Sequence, residues 1–113
     1  VVTADDTEAA VKHLEWLGIR GFFAAVVGTD QVERGKPYPD MAMLACRRMS
    51  LDVSRVAVIG DTEGDVRMAK SAGAAAAIRI LAPDGDGFSE SGEADAVIRS
   101  FRELAVLQEE GST

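Results

Sequence analysis

Val56-Ala57-Val58-Ile59-Gly60-Asp61-Thr62-Glu63-Gly64-Asp65 is the stretch from which the rest of the chain can be placed. Its apolar run is rich in β-branched residues and predicts a strand buried on both faces, as in a parallel sheet. Gly60 ends the run and an acid follows at once, so Asp61 falls where strand gives way to helix. Asp65 falls in the first turn of that helix. Residues at i and i+4 share a helix face. Asp61 lies just before the helix, so both acids can open onto one crevice. In open α/β sheets ligands bind there, beyond the carboxyl ends of the strands.

Upstream, Val1-Val2-Thr3 predicts a short strand. Asp6 or Thr7 can cap a helix to Leu17 that Gly18 ends, with Ala10, Val11, Leu14 and Leu17 as its apolar stripe and Glu8 and Lys12 paired on the wet side. The run from Phe22 to Val27 predicts a turn and a strand, closed by Gly28-Thr29-Asp30, with Trp16 and Phe22 packed together where helix meets sheet. A Gly35-Lys36-Pro37-Tyr38-Pro39 loop leads into a helix of about eleven residues, with Pro39 in its first turn. Met41, Leu44, Ala45 and Met49 face inward on it, Arg47 and Arg48 outward, and Cys46 is a small core residue.

Downstream, a helix runs from about Glu63 to Ala72 and stops at Gly73, and Ala74 to Ile80 is another strand. Pro83 to Ala94 reads as a loop, within which Asp84-Gly85-Asp86-Gly87 is a turn without the spaced ligands of a calcium site. Ala96-Val97-Ile98 is a last strand, Phe101 to Leu107 a last helix, and residues from about 108 a frayed tail. Strands alternating with helices predict a single α/β domain over residues 1–113, Rossmann-like, with three α/β/α layers and a mainly parallel sheet.

The chain has 113 residues, of which 47% are hydrophobic and 27% charged, as in an ordinary globular protein. A net charge of −7 argues against nucleic acid or an anionic membrane as partner and favours a cation such as Mg²⁺. Cys46 is the only cysteine, which excludes an internal disulfide and suits a cytoplasmic setting. His13, among Lys12 and Glu15 on a helix and with no visible partner in the sequence, is expected in solvent.

Three places carry candidate chemistry. Asp61 and Asp65 offer hard oxygen ligands for Mg²⁺. The plain alternative is that Thr62-x-x-Asp65 is a helix capping box and Asp61 a turn residue. Lys36, stiffened by Pro37, can bind a phosphate oxygen or neutralise a carboxylate, or be an ordinary surface lysine. The Thr3 hydroxyl and the backbone N–H groups that follow, beginning with Ala4, can hold a phosphate at a helix N-terminus, or Thr3 can be a plain strand residue.

As an ordered set, the strand-end Thr3, the Gly35-Lys36-Pro37 loop and Gly60-Asp61-x-x-x-Asp65 resemble the haloacid dehalogenase superfamily of phosphohydrolases. Met68-Ala69-Lys70-Ser71-Ala72-Gly73-Ala74 is similar to the family's next helix, and the likeness runs from about Val1 to Ile80. The resemblance implies a Mg²⁺-dependent phosphatase acting on a small phosphorylated metabolite through an aspartyl-phosphate. It implies that Thr3 and Lys36 are catalytic and bind phosphate with Ala4, and that Asp61 and Asp65 form the metal site, the second acid in support. The family's first motif, an Asp-x-Asp that carries the nucleophile, is expected to be lacking from these 113 residues, and there is no room for a cap domain between Thr3 and Lys36. Thr3-Ala4-Asp5 mimics that motif only faintly. The expectation is therefore a chain that is part of such an enzyme and inactive alone, or else a non-catalytic interaction module. In relatives the first-motif strand lies between the Val1 and Val56 strands. Without it, those edges are expected to pair with each other, or to be filled by the missing N-terminal segment or a second copy in a homodimer.

Overall fold

Every strand pair is parallel in the computed structural model, which describes residues 1–82, 92–105 and 107. Strand β1 (Val2–Thr3) pairs with β2 (Val27–Gly28), Val2 opposite Val27 and Thr3 opposite Gly28. Strands β3 (Ala57–Gly60), β4 (Ala76–Ile80) and β5 (Ala96–Ile98) form a second sheet in that order. Helix α1 (Thr7–Trp16) links β1 to β2, α2 (Asp40–Arg48) precedes β3, and α3 (Glu63–Ala72) crosses from β3 to β4. This is the Rossmann-like α/β arrangement that the sequence predicts.

The helix limits follow from local chemistry. The Asp6 carboxylate accepts the Ala9 N–H at 2.7 Å and starts α1. Thr62 caps α3, and Gly73 ends it in the left-handed region at φ 81°, which a residue without Cβ adopts at little cost. Pro39 is the cap of α2 rather than part of its first turn, and the helix is a little shorter than expected. Glu8 and Lys12 pair at 3.1 Å on the exposed side of α1.

Two clusters make the core. Val27, Met41, Ala42, Ala45 and Met68 join α2 to both β2 and α3. Val66, Ala69 and Ala77 seat α3 on β4, and Val58 packs against both clusters. Helix α2 thus bridges the two sheets, with Cys46 buried as expected and Arg47 and Arg48 outside.

Several expectations are corrected. Strand β3 is not buried on both faces: Val58 packs on the core, but Ala57 and Ile59 are exposed, because the core clusters lie on the Val58 side only. The edges of β1 and β3 do not pair with each other. Between them is a slot of about 210 Å³, lined by Val2, Val58, Ala45, Cys46, Met49 and Met68 among others. Trp16 and Phe22 are more than 80% exposed (82% and 83%) rather than packed together in the core, and Leu17 lies half outside. His13 is exposed, its ring tilted toward that of Trp16. The predicted last helix is a single 3-10 turn, Phe101–Glu103, after which Leu104 is extended. The Asp84-Gly85-Asp86-Gly87 turn and the tail from 108 lie outside the described residues. No helix among the described residues is long and apolar enough to cross a membrane.

Met68 has no exposed surface and touches the helix bridge, whereas Met43 on α2 is 44% exposed. Met68→Ala is expected to cost about 2–5 kcal/mol, and Met43→Ala about 0.5 kcal/mol or less, in urea unfolding followed by circular dichroism. Equal losses would show that the core is not where the packing places it.

Candidate active site

The turn after β3 is built around one buried acid. Asp65 is 5% exposed and is the buried charged residue among those described. Its Oδ2 accepts the Thr62 N–H at 3.1 Å and the Thr62 hydroxyl at 2.8 Å, while the Asp65 N–H donates to Thr62 Oγ1 at 3.3 Å. This is the reciprocal capping box. The other oxygen, Oδ1, takes the Lys36 ammonium at 2.6 Å. The capping and ionic readings of Asp65 therefore both hold, one on each oxygen. A Cβ at Gly60 would overlap the Asp65 side chain, so glycine at the strand end gives that carboxylate its place.

Burial by itself pushes the Asp65 carboxyl up, but the hydrogen bonds from Lys36 and Thr62 and the lysine charge outweigh it. The net result is a carboxyl below its usual range, ionised and fixed.

Asp61 stands one residue beyond β3, exposed, and among the described residues no hydrogen bond or ion pair reaches its carboxylate. The structure thus brings Lys36 and Asp65 into contact and leaves Asp61 open at the same strand end. Thr3 closes β1, half-buried, its Oγ1 accepting the Asp5 N–H at 3.1 Å. It is tied to the Lys36 loop only indirectly: Gly28 pairs with Thr3, and the Thr29 hydroxyl that follows lies against Gly35. The helix N-terminus beyond Thr3 is already served by carboxylates, Asp6 on the Ala9 N–H and Asp30 on the Thr7 N–H at 2.7 Å. The donors left near Thr3 for an oxyanion are its own hydroxyl and the exposed stretch at Ala4.

No group of three or more metal-ligating side chains occurs among the described residues. With both Asp65 oxygens engaged, the open hard-oxygen ligand here is Asp61, which fits a Mg²⁺ ion that keeps several waters and takes few protein ligands.

Arg79 was not singled out by the sequence. It stands opposite Gly60 in the sheet and reaches over the turn: Nε donates to the Asp61 carbonyl at 3.1 Å and Nη1 to Glu63 Oε2 at 3.0 Å. An arginine inside an otherwise apolar strand was the available signal.

A family model for hydrolases, described as haloacid dehalogenase-like hydrolase, matches residues 1–73, the span that holds Thr3, Lys36, Asp61 and Asp65. The chain belongs to this family. It is 41% identical over 76 residues to the probable phosphatase IndB of Dickeya dadantii, covering 67% of this chain and 33% of the relative. It is 30% identical over 104 residues to pyrophosphatase PpaX of Halalkalibacterium halodurans, covering 92% of this chain and 48% of the relative. The crystal structure of a haloacid dehalogenase phosphatase from Thermococcus onnurineus superposes with a TM-score of 0.74 at 27% identity, covering 85% of this chain and 43% of that one. The chain spans between a third and a half of these relatives' lengths.

The depressed Asp65 carboxyl sets a pH dependence. Its stabilisation is complete above the unfolded carboxyl value of about 3.9 and is lost as pH falls through the lower native value. Asp65→Asn is expected to lower stability at neutral pH by about 1–3 kcal/mol, with the gap to wild type narrowing below about pH 4. Urea titrations at stepped pH measure it, and a constant gap would contradict the assignment.

Proposed function

We propose that this chain carries the phosphate- and metal-binding part of a Mg²⁺-dependent phosphatase that hydrolyses a small phosphate monoester through an aspartyl-phosphate. The observation that carries the reading is the Lys36 ammonium held 2.6 Å from Asp65, at the strand end where Asp61 is open. One carboxylate anchors the cation and the other is left for a ligand.

The roles follow from that division. Lys36 spends one donor on Asp65 and keeps two for phosphoryl oxygens and for the attacking carboxylate. Asp65 keeps the ammonium from swinging away. Thr3 and the Ala4 backbone supply neutral donors on the β1 side. Asp61 holds Mg²⁺, which when bound neutralises charge on the transferring phosphoryl group. Such transfer depends on positioning and electrostatics more than on covalent chemistry from the protein. The relatives' names as phosphatases and a pyrophosphatase support this reaction class. The lone buried thiol of Cys46 is in keeping with a cytoplasmic setting.

The nucleophile, on this reading, comes from a parallel strand seated in the slot between β1 and β3, ending in an aspartate beside Lys36. The free edges and apolar lining of the slot support such an occupant. The same free edges favour a second reading, a non-catalytic module that dimerises through them. Light scattering separates the two, since a dimer would double the 11.9 kDa chain mass.

The test uses p-nitrophenyl phosphate with Mg²⁺. The chain alone is expected to release no phosphate above background, and a chain extended ahead of Val1 by an Asp-x-Asp strand is expected to release it. In the extended form Asp61→Asn or Lys36→Ala should lower the rate by about 10²–10³. Turnover by the extended form that survives Asp61→Asn would overturn the reading. Turnover by the chain alone, abolished by Asp61→Asn, would place the nucleophile within it.

A further inference from the structure

Arg79 has no part in the roles above, yet it is bound to the residue assigned to the metal. Its side chain is only 11% exposed. It bridges two groups on opposite sides of the strand-to-helix turn, the main-chain carbonyl of Asp61 and the carboxylate of Glu63. Gly60 stands opposite Arg79 in the sheet, so the side chain starts level with the strand end and crosses directly over the turn. The planar guanidinium presents several donors in a rigid fork, a geometry an ammonium cannot reproduce.

We propose that Arg79 is a positioning residue for the metal ligand Asp61: by fixing the Asp61 carbonyl against Glu63, it holds that backbone so the free carboxylate faces the rim. The inference rests on the reading of Asp61 as the Mg²⁺ ligand. It draws on three features. The Asp61 carboxylate has no anchor of its own among the described residues, so its main chain alone sets the place from which it reaches into solvent. The main-chain carbonyl is the atom Arg79 grips. Glu63, the first residue of α3, balances the guanidinium, so a cation can stand beside a cation site.

Electrostatics and positioning predict opposite signs. A guanidinium that merely stood near the site would repel a divalent ion, and its removal would tighten binding. A guanidinium that orients the ligand weakens binding when it is removed. Mn²⁺ binding to the 113-residue chain, followed by electron paramagnetic resonance of the free ion, reads the sign directly. Arg79→Gln is expected to weaken Mn²⁺ binding about threefold to tenfold relative to wild type, with folding checked by circular dichroism. Arg79→Lys keeps the charge but loses the fork, and is expected to weaken binding as well. It decides the matter alone if the glutamine variant does not fold. Tighter or unchanged binding in the folded variants would overturn the inference. Asp61→Asn is the control: if it leaves Mn²⁺ binding unaltered, the metal reading itself fails. If it abolishes binding while Arg79→Gln and Arg79→Lys do not weaken it, only the role of Arg79 fails.

Discussion

The ion pair between Lys36 and Asp65 is the contact on which the site depends. It joins the loop before α2 to the first turn of α3, and so ties the first part of the chain to the second at their common rim. A carboxylate this deeply placed needs its partner, because an uncompensated buried charge is strongly unfavourable. The rest of the turn follows from that need. Thr62 satisfies the remaining oxygen, and Gly60 leaves the space in which the acid sits.

Thr62-x-x-Asp65 serves two purposes with one side chain. As a helix start it satisfies donors that α3 would otherwise leave unpaired. As an anchor it holds the Lys36 cation. Structural and functional readings of such a motif are often set against each other, but here they use different oxygens of the same group. The strand end is thereby divided between an acid whose two oxygens are both engaged and an acid whose carboxylate is open among the described residues.

The sequence is most legible where a signal is local. Helix α3 begins after Thr62 and ends before Gly73, as a cap residue and a left-handed glycine dictate. Met41, Ala45 and Cys46 are buried as the pattern on α2 predicts, since helical spacing alone sets that face. What could not be read depends on a neighbour. Val56 to Ile59 is apolar enough for a doubly covered strand, but composition does not say whether a covering element is present, and Ile59 is exposed. Trp16 and Phe22 have the chemistry of a packed pair, yet both remain largely exposed. The Phe101 helix stops after one turn because Leu104 turns extended, with no strong stop signal at that position. The acids and the lysine of the site were legible as an ordered set. The reach of Arg79 over the turn was not, because it depends on which residue of β4 stands opposite Gly60.

The missing side chain at Gly60 has a consequence for how this protein could be altered. Its backbone is not in a conformation that demands glycine; it is the Asp65 carbon skeleton that occupies the room a methyl group would take. Positions 60 and 65 are therefore one decision rather than two. A library that varies them separately would sample mostly incompatible pairs, whereas a larger residue at the first becomes admissible only when the second is cut back, and with it goes the anchor for the lysine.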